Sequence, residues 1–245
     1  MLKIWNATNF RRTLGGLCLI VAPLLHYAAE HLISTGTNNG TASDWLANAA
    51  QHHDGLVEAT YLDILSGILL IPAFVAIVHV VRGRGVILVH IGVALALVAV
   101  ALNTFVDAGV KLMVGVMGSP GLDPSAMTAL IQKSLITPST LSTPTFLGFL
   151  LQLPAYFLIG IAAWRSRFGY RWAGPLISIA VLAAFFNVVQ SGIIEFVADA
   201  LLVVGLAAIG FRMLLMPDSA WESAPASADK PAARTVPHAE HVVGS

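Results

Sequence analysis

The chain has 245 residues, of which 57% are hydrophobic and 11% are charged, and its formal net charge is zero. Soluble domains carry about 25% charged residues, so this composition excludes an ordinary soluble domain. The balanced charge, with no basic patch, argues against nucleic acid as a partner. A single cysteine, Cys18, excludes an intrachain disulfide and a CxxC zinc motif. We therefore expect the lipid bilayer to be the main partner.

Six apolar runs follow one another along the chain, and a membrane-spanning helix needs about 20 such residues. We predict an all-α bundle of six transmembrane helices that together form one domain, residues 14–215. The predicted spans cover residues 14–33, 56–81, 86–111, 145–164, 175–190 and 193–215. The fifth of these runs is short for a span.

Basic residues flank these runs on one side, and because Lys and Arg resist translocation, that side is predicted to be cytoplasmic. The exceptions are Lys111 and Lys133, which fall on the other side. We therefore predict a multi-pass protein of the cell membrane, with a cytoplasmic N-terminus (residues 1–13) and a cytoplasmic C-terminus. The flanking residues are Lys3, Arg11, Arg12, Arg82, Arg84, Arg165, Arg167, Arg171 and Arg212.

Three segments outside the spans also carry predictions. Residues 217–245 are rich in Ala, Pro and Ser, which predicts a disordered cytoplasmic tail. Ser43 is the predicted N-cap of a short outer helix, and Asp123 followed by Pro124 is the predicted start of another. We expect these two outer helices to form a lid over the bundle.

Ionisable and amide side chains are concentrated in the outer halves of the predicted spans. A charged side chain at the centre of a span costs about 2.5–3.5 kcal/mol on insertion scales, so the deeper ones need an explanation. At 1.5 Å per residue, Asp63 lies about 10 Å inside its span and Asp199 about 9 Å inside its own. Several of the others are four residues apart, hence on one helix face. The candidate ligand-binding residues are His26, Glu30, Asp63, Asn103, Asp107, Lys111, Glu195 and Asp199.

These residues leave three functions open. The first is an outward-facing acidic pocket, with Lys111 neutralising one acid, that binds or moves a cation, a proton or a small polar solute. The second is a membrane-embedded enzyme that acts on a lipid or prenyl substrate by acid/base or metal chemistry. The third is a structural or accessory protein whose polar residues only join helices. We predict no metal and no cofactor, identify no catalytic residue, favour the non-enzymatic functions, and leave oligomerisation open.

Three stretches carry a resemblance to a known group: RTLGGLCLIVAP (residues 12–23), YLDILSGILLIPA (61–73) and LPAYFLIGIAAWR (153–165). In these the chain resembles a family of uncharacterised bacterial six-span membrane proteins, classed as a domain of unknown function and common in high-GC Gram-positive bacteria. The resemblance covers most of residues 10–215 and implies membrane location and six helices, but no activity. A remoter similarity is to membrane-embedded terpene cyclases, which also carry acids on separate helices but usually have seven spans.

Overall fold

The computed structural model describes residues 7–33, 41–136, 142–187 and 191–222, and every regular element in these ranges is helical. Two wider π-helical turns occur: Val100–Phe105 joins α4 to α5 in one continuous rod, and Gln132–Ile136 continues α6. In chain order the helices are α1 (Ala7–His31), α2 (Ala42–Gln51), α3 (His53–Val80), α4 (Val86–Ala99), α5 (Val106–Met117), α6 (Pro124–Ile131), α7 (Ser142–Ser166), α8 (Ala173–Phe185), α9 (Gly192–Leu214) and α10 (Asp218–Glu222).

Five of these helical rods are long and apolar enough to cross a membrane: α1, α3, the α4–α5 rod, α7 and α9. The shortest of them, α9, has 23 residues. That length is about 35 Å at 1.5 Å per residue, against about 30 Å of hydrocarbon. Helix α8 is apolar but has 13 residues. The fifth predicted span, residues 175–190, ends in residues 188–190, which lie outside the described ranges.

The six main rods form a closed ring. Helix α1 packs between α3 and α9, α8 packs between α9 and α7, and the α4–α5 rod packs between α7 and α3. Small residues let the backbones approach: a Cβ atom at Gly16 of α1 would lie 2.9 Å from the carbonyl oxygen of Gly210 in α9. Such contacts are typical of helix packing in membranes, where interfaces favour small side chains.

The ring has two chemically different ends. Neighbouring rods run antiparallel, so the basic flanks of the sequence meet at one end, which we call the basic end. Arg12, Arg82, Arg84 and Arg165 belong to it, and the opposite end, which holds Glu30 and Asp107, is called the acidic end. The charge pattern of the sequence is therefore a pattern of the folded bundle as well.

Apolar side chains lie on both the inside and the outside of the ring. Leu19, Phe74 and Ile177 are fully buried in the centre. Helices that are hydrophobic all round are typical of membrane proteins or of the core of large proteins. Large apolar side chains are also exposed around the outside: Leu17, Ile68, Val75, Ile87, Val204 and Phe211.

The short helices on the acidic end correct one prediction. The N-cap of α2 is Thr41, not Ser43: Thr41 Oγ1 accepts a hydrogen bond from the Asp44 N–H, and the Asp44 carboxylate accepts one from the Thr41 N–H at 2.7 Å. This reciprocal capping box is the reason for the earlier start. Hydrogen bonds from Thr41 hold the pKa of the Asp44 carboxyl below its usual value.

Helix α6 begins where the sequence predicts, with Asp123 as the N-cap and Pro124 in the first turn. The Asp123 carboxylate accepts a hydrogen bond from the Ser125 N–H at 3.1 Å. The two short helices then meet α5 in a small core of Ala42, Met117 and Ile131. They therefore cover the α5 side of the acidic end and not the whole bundle.

The predicted tail, residues 217–245, is wrong in its first residues, because α10 forms and packs on the basic end. Asp218 Oδ1 lies 2.7 Å from Arg12 Nη1, and Arg82 Nη2 donates to the Trp221 carbonyl oxygen at 2.7 Å. The Trp221 side chain is buried, with its ring 4.4 Å from the His79 ring. The buried Trp221 ring, the Arg12–Asp218 ion pair and hydrogen bonds such as that from Arg82 hold this turn against the bundle. Residues 223–245 lie outside the described ranges.

Candidate functional site

Three carboxylates surround the ammonium of Lys111 at the acidic end. Lys111 Nζ lies 2.5 Å from Glu30 Oε1, 2.8 Å from Asp63 Oδ2 and 3.2 Å from Asp107 Oδ2. The Asp63 and Lys111 side chains are 3% and 10% exposed, whereas those of Glu30 and Asp107 are 37% and 36% exposed. One side of this group is therefore buried and the other reaches the surface.

His26 completes this group, which we call the lysine cluster: His26, Glu30, Asp63, Asp107 and Lys111. Its Nδ1 atom lies 2.9 Å from Asp63 Oδ1, so both oxygens of the buried carboxylate have partners. Helix α1 supplies His26 and Glu30 one turn apart, and α5 supplies Asp107 and Lys111 in the same way. Residues four apart share a helix face, which is why the sequence spacing brings them together.

The lysine cluster carries a surplus of negative charge. Three carboxylates against one ammonium leave a charge of −2 when His26 is neutral, and −1 when the imidazole is protonated. Charges of one sign in a region of low dielectric repel each other more strongly than in water. A proton or another cation would therefore stabilise the cluster.

A separate cavity of about 470 Å³ opens between α7, α8 and α9. Its polar groups are Gln152, Tyr156, Asn187, Glu195 and Asp199, and we call it the acidic cavity. Pockets of about 300–1,000 Å³ with an apolar wall and a few polar groups are typical of small-molecule sites. The wall is apolar: Phe149, Leu153, Val181, Phe185 and Leu202.

A small void joins the acidic cavity to the lysine cluster. Its volume is about 30 Å³, enough for a water molecule, and it is lined by His26, Ser66 and Tyr27 on one side. On the other side it shares Tyr156 and Asp199 with the acidic cavity. His26 thus borders the void and contacts Asp63, so shared lining residues mark a path from the cavity towards Lys111.

Asp199 lies on this path but belongs to a different pair. Its Oδ2 atom lies 2.8 Å from His31 Nε2, and the His31 ring packs against Tyr27 and Phe196. The predicted pocket grouped Asp199 directly with Asp63 and Asp107; the structure instead pairs it with a histidine of α1. Because the Asp199 side chain is 29% exposed, it remains accessible from the cavity.

Two other predicted site residues have different places. Glu195 is exposed and lines the acidic cavity, one turn before Asp199. Asn103 lies in the π-helical turn of the α4–α5 rod and donates to Gln152 Oε1 of α7 at 2.9 Å. The spacing of four places Asn103, Asp107 and Lys111 on a single stripe, but the wide turn offsets it: Asn103 contacts α7, whereas Lys111 contacts α1 and α3 and also pairs with Asp107. Such turns are frequent at functional sites.

The chemistry of the lysine cluster also matches that of a cation site. Ligand atoms of His26, Glu30 and Asp63 lie within 4.8 Å of one another, and imidazole and carboxylate are common metal ligands. However, Lys111 Nζ already contacts both Glu30 and Asp63. A second cation could reach these oxygens only if the lysine side chain moved, so Lys111 acts as the cluster's built-in cation.

The predicted candidate set omits four residues that the structure places at the acidic cavity or beside Asp199: His31, Gln152, Tyr156 and Asn187. Gln152 is an amide inside an otherwise apolar run, which is a signal that could have found it. Asn187 lies at the end of such a run. No comparable signal marks Tyr156, because tyrosine is common in membrane helices, and its role follows from the cavity alone.

Comparisons with protein-family models, with curated proteins and with solved structures find no match to this chain. Its candidate site therefore has to be interpreted from its own geometry.

Proposed function

We propose that this chain is an integral membrane protein that binds a small cation or a proton at the lysine cluster, reached through the acidic cavity. Binding of a metal cation would require the Lys111 side chain to move aside. The observation that carries this proposal is the surplus of carboxylates around Lys111. The position of the lysine cluster beside open volume supports the same proposal, since His26 borders the small void that adjoins the acidic cavity. Movement of the ion across the membrane would be a further step.

The membrane setting is part of the same proposal. Five rods have spanning length, and we propose that α8 supplies a sixth span, with both termini cytoplasmic and the acidic end outside. The clustering of arginines at the basic end supports this orientation. We also propose that the chain belongs with the bacterial six-span proteins of unknown function that it resembles.

Ion binding can be tested with the purified full chain in detergent. Thermal unfolding would be measured against Na⁺, K⁺ and Ca²⁺ at constant ionic strength, and against pH. We expect a cation or acidification to raise the midpoint of the wild type and to lose that effect in Asp63→Asn and in His26→Gln. Glu58→Gln, an exposed acid on the same helix α3, is the matched control and should respond like the wild type.

Two outcomes would contradict ion binding. If Asp63→Asn and Asp199→Asn stay folded, gain stability and respond to ions as before, these acids are neither paired nor functional. If Glu58→Gln loses the response as fully as Asp63→Asn, the effect is one of general surface charge.

The orientation needs its own experiment. Single cysteines placed in a Cys18→Ala background at Gly83, in the α3–α4 turn, and at Gly121, before α6, would be labelled in intact cells with a membrane-impermeant reagent. We expect labelling at Gly121 and none at Gly83. The reverse pattern would place the acidic end inside.

A second function has one specific observation in its favour. The acidic cavity has apolar walls and two carboxylates, Glu195 and Asp199, which is what a membrane-embedded enzyme for a lipid or prenyl substrate would need. Conversion of a prenyl diphosphate by the reconstituted protein, lost in Asp199→Asn, would favour the enzyme over the ion site. A structural role alone would be favoured if neither ions nor substrate gave any effect.

A further inference from the structure

The arginines of the basic end differ in whether their side chains have partners. Arg12 contacts Asp218, and Arg82 donates to the Trp221 carbonyl oxygen, so both have partners in α10. Four others are exposed, and their side chains make no hydrogen bond or ion pair to any residue in the described ranges. We call them the arginine pocket: Arg84, Arg165, Arg167 and Arg171.

These four side chains meet around open volume. Together with Trp164 they line a pocket of about 230 Å³. Arg84, Arg165 and Arg167 also line an adjoining pocket of about 410 Å³ with Ser166. No carboxylate lines either pocket, so four positive charges converge with nothing of opposite sign among the lining residues.

Local backbone geometry brings the arginines together. Gly85, at φ 114°, starts α4 so close to α7 that a Cβ atom there would lie 2.9 Å from the Ala162 carbonyl oxygen. Arg84 precedes this contact, and Arg165 follows Ala162 by one helical turn. Arg167 has φ 55°, an uncommon conformation for a residue other than glycine, in the turn after α7. The α3–α4 and α7–α8 connections thus face the same pocket.

The chemistry of the arginine pocket points to a phosphate group. A guanidinium presents its N–H donors in a planar fork that matches phosphate oxygens, and several guanidiniums together favour a multiply charged or multidentate anion. The position of the pocket at the level of the lipid headgroups indicates that this phosphate belongs to a lipid. Trp164, Tyr170 and Trp172 are exposed beside the pocket, and aromatic residues of this kind lie at the headgroup level of a bilayer.

We propose that the arginine pocket binds the phosphate of an anionic phospholipid headgroup in the leaflet at the basic end. Basic pockets between membrane helices on the cytoplasmic side are suited to such headgroups. The site rests on the membrane location of the chain and is independent of ion binding at the lysine cluster, which lies at the opposite end. It goes beyond the general preference of Lys and Arg for one side, because it requires four particular side chains to converge.

The test uses the full chain in detergent, titrated with phosphatidylglycerol, phosphatidylcholine or inorganic phosphate, with affinity read from thermal unfolding. Each arginine near a lipid headgroup contributes roughly a fivefold effect. We therefore expect Arg165→Gln/Arg167→Gln to weaken phosphatidylglycerol binding more than tenfold. Arg212→Gln removes an exposed arginine of the same end that does not line the pocket, and should change the affinity less than twofold. Phosphatidylcholine should bind much more weakly.

A charge-conserving variant keeps the test decisive. Arg165→Lys/Arg167→Lys should retain part of the affinity, since the charge remains but the bidentate fork is lost. The proposal is overturned if Arg212→Gln weakens binding as much as the double pocket variant. It is also overturned if inorganic phosphate binds as tightly as phosphatidylglycerol, because the pocket would then serve a soluble anion, or if the two phospholipids bind equally.

Discussion

The acidic side chains on the two sides of the acidic end have different surroundings. Between α1, α3 and α5, which we call the closed side, Glu30, Asp63 and Asp107 all contact Lys111, and the adjoining void holds only about 30 Å³. Between α7, α8 and α9, Glu195 and Asp199 line about 470 Å³ of open volume. Buried pairs are expensive to break, whereas acids beside open volume can meet ions or solutes at little cost in stability. The region between α1, α3 and α5 therefore stabilises the helix packing, and the region between α7, α8 and α9 lets ions or solutes enter the bundle.

The largest expected effect follows from removing the cation of the closed side. Lys111→Met leaves three carboxylates without their shared partner, and breaking a buried pair costs about 3–5 kcal/mol. The free energy of unfolding in detergent should fall by that amount. Lys133→Met, an exposed lysine of the same end, should change it by less than about 0.5 kcal/mol. Adding Asp63→Asn to Lys111→Met should recover part of the loss, and no loss at all in Lys111→Met would show that the carboxylates are not ionised together.

The next largest loss of stability is expected from a substitution that disturbs helix packing at the π-helical turn. A Cβ atom at Gly148 of α7 would lie 2.5 Å from the Asn103 backbone nitrogen and 2.9 Å from its Cβ, so Gly148→Ala must displace the α4–α5 rod. Overpacking of this kind costs about 1–3 kcal/mol. Gly109→Ala, on the same rod with no atom within 4 Å, should be neutral or stabilising by up to about 1 kcal/mol. Equal stability of the two variants would mean that α7 does not approach the turn so closely.

Substitutions on the open side, between α7, α8 and α9, should change the free energy of unfolding less. Asp199→Asn weakens a partly exposed contact with His31, and a hydrogen bond to a charged group is worth about 1.5–3 kcal/mol when well formed. We expect a loss near 1 kcal/mol, since part of the site is solvated. A double-mutant cycle with His31→Asn would measure the coupling directly. A cycle energy of zero would mean that the two side chains do not interact in solution.

The smallest effect is expected for Glu195→Gln. The side chain is exposed and makes no hydrogen bond or ion pair in the described part of the chain, so stability should change by less than about 0.5 kcal/mol. Cation affinity should nevertheless fall, because one negative charge leaves the acidic cavity. An effect on stability as large as that of Lys111→Met would remove the distinction between the two sides.

The sequence predicts the helical architecture and much of the lysine cluster for a clear reason. Hydropathy marks the apolar rods, and spacing of four places Asp107 with Lys111 and His26 with Glu30 on shared faces. It does not predict that Lys111 contacts three acids, because that depends on how α1, α3 and α5 pack. The π-helical turn at Asn103 has no pattern in the sequence that marks it. Trp221 lies in a polar, Pro-rich stretch of the kind that predicts disorder, so its contact with His79 could not be predicted from the sequence.

The most direct test of ion binding at the lysine cluster is proton release on adding a cation to the full chain in weakly buffered detergent. The pH should lie near the ordinary histidine pKa of about 6.5. If a proton and a metal cation compete for the same surplus negative charge, adding Na⁺ or Ca²⁺ should release protons from the wild type and from Glu58→Gln, and none from Asp63→Asn. Cation-induced release that is the same in Asp63→Asn, or cation binding with no release, would contradict a shared site at Asp63.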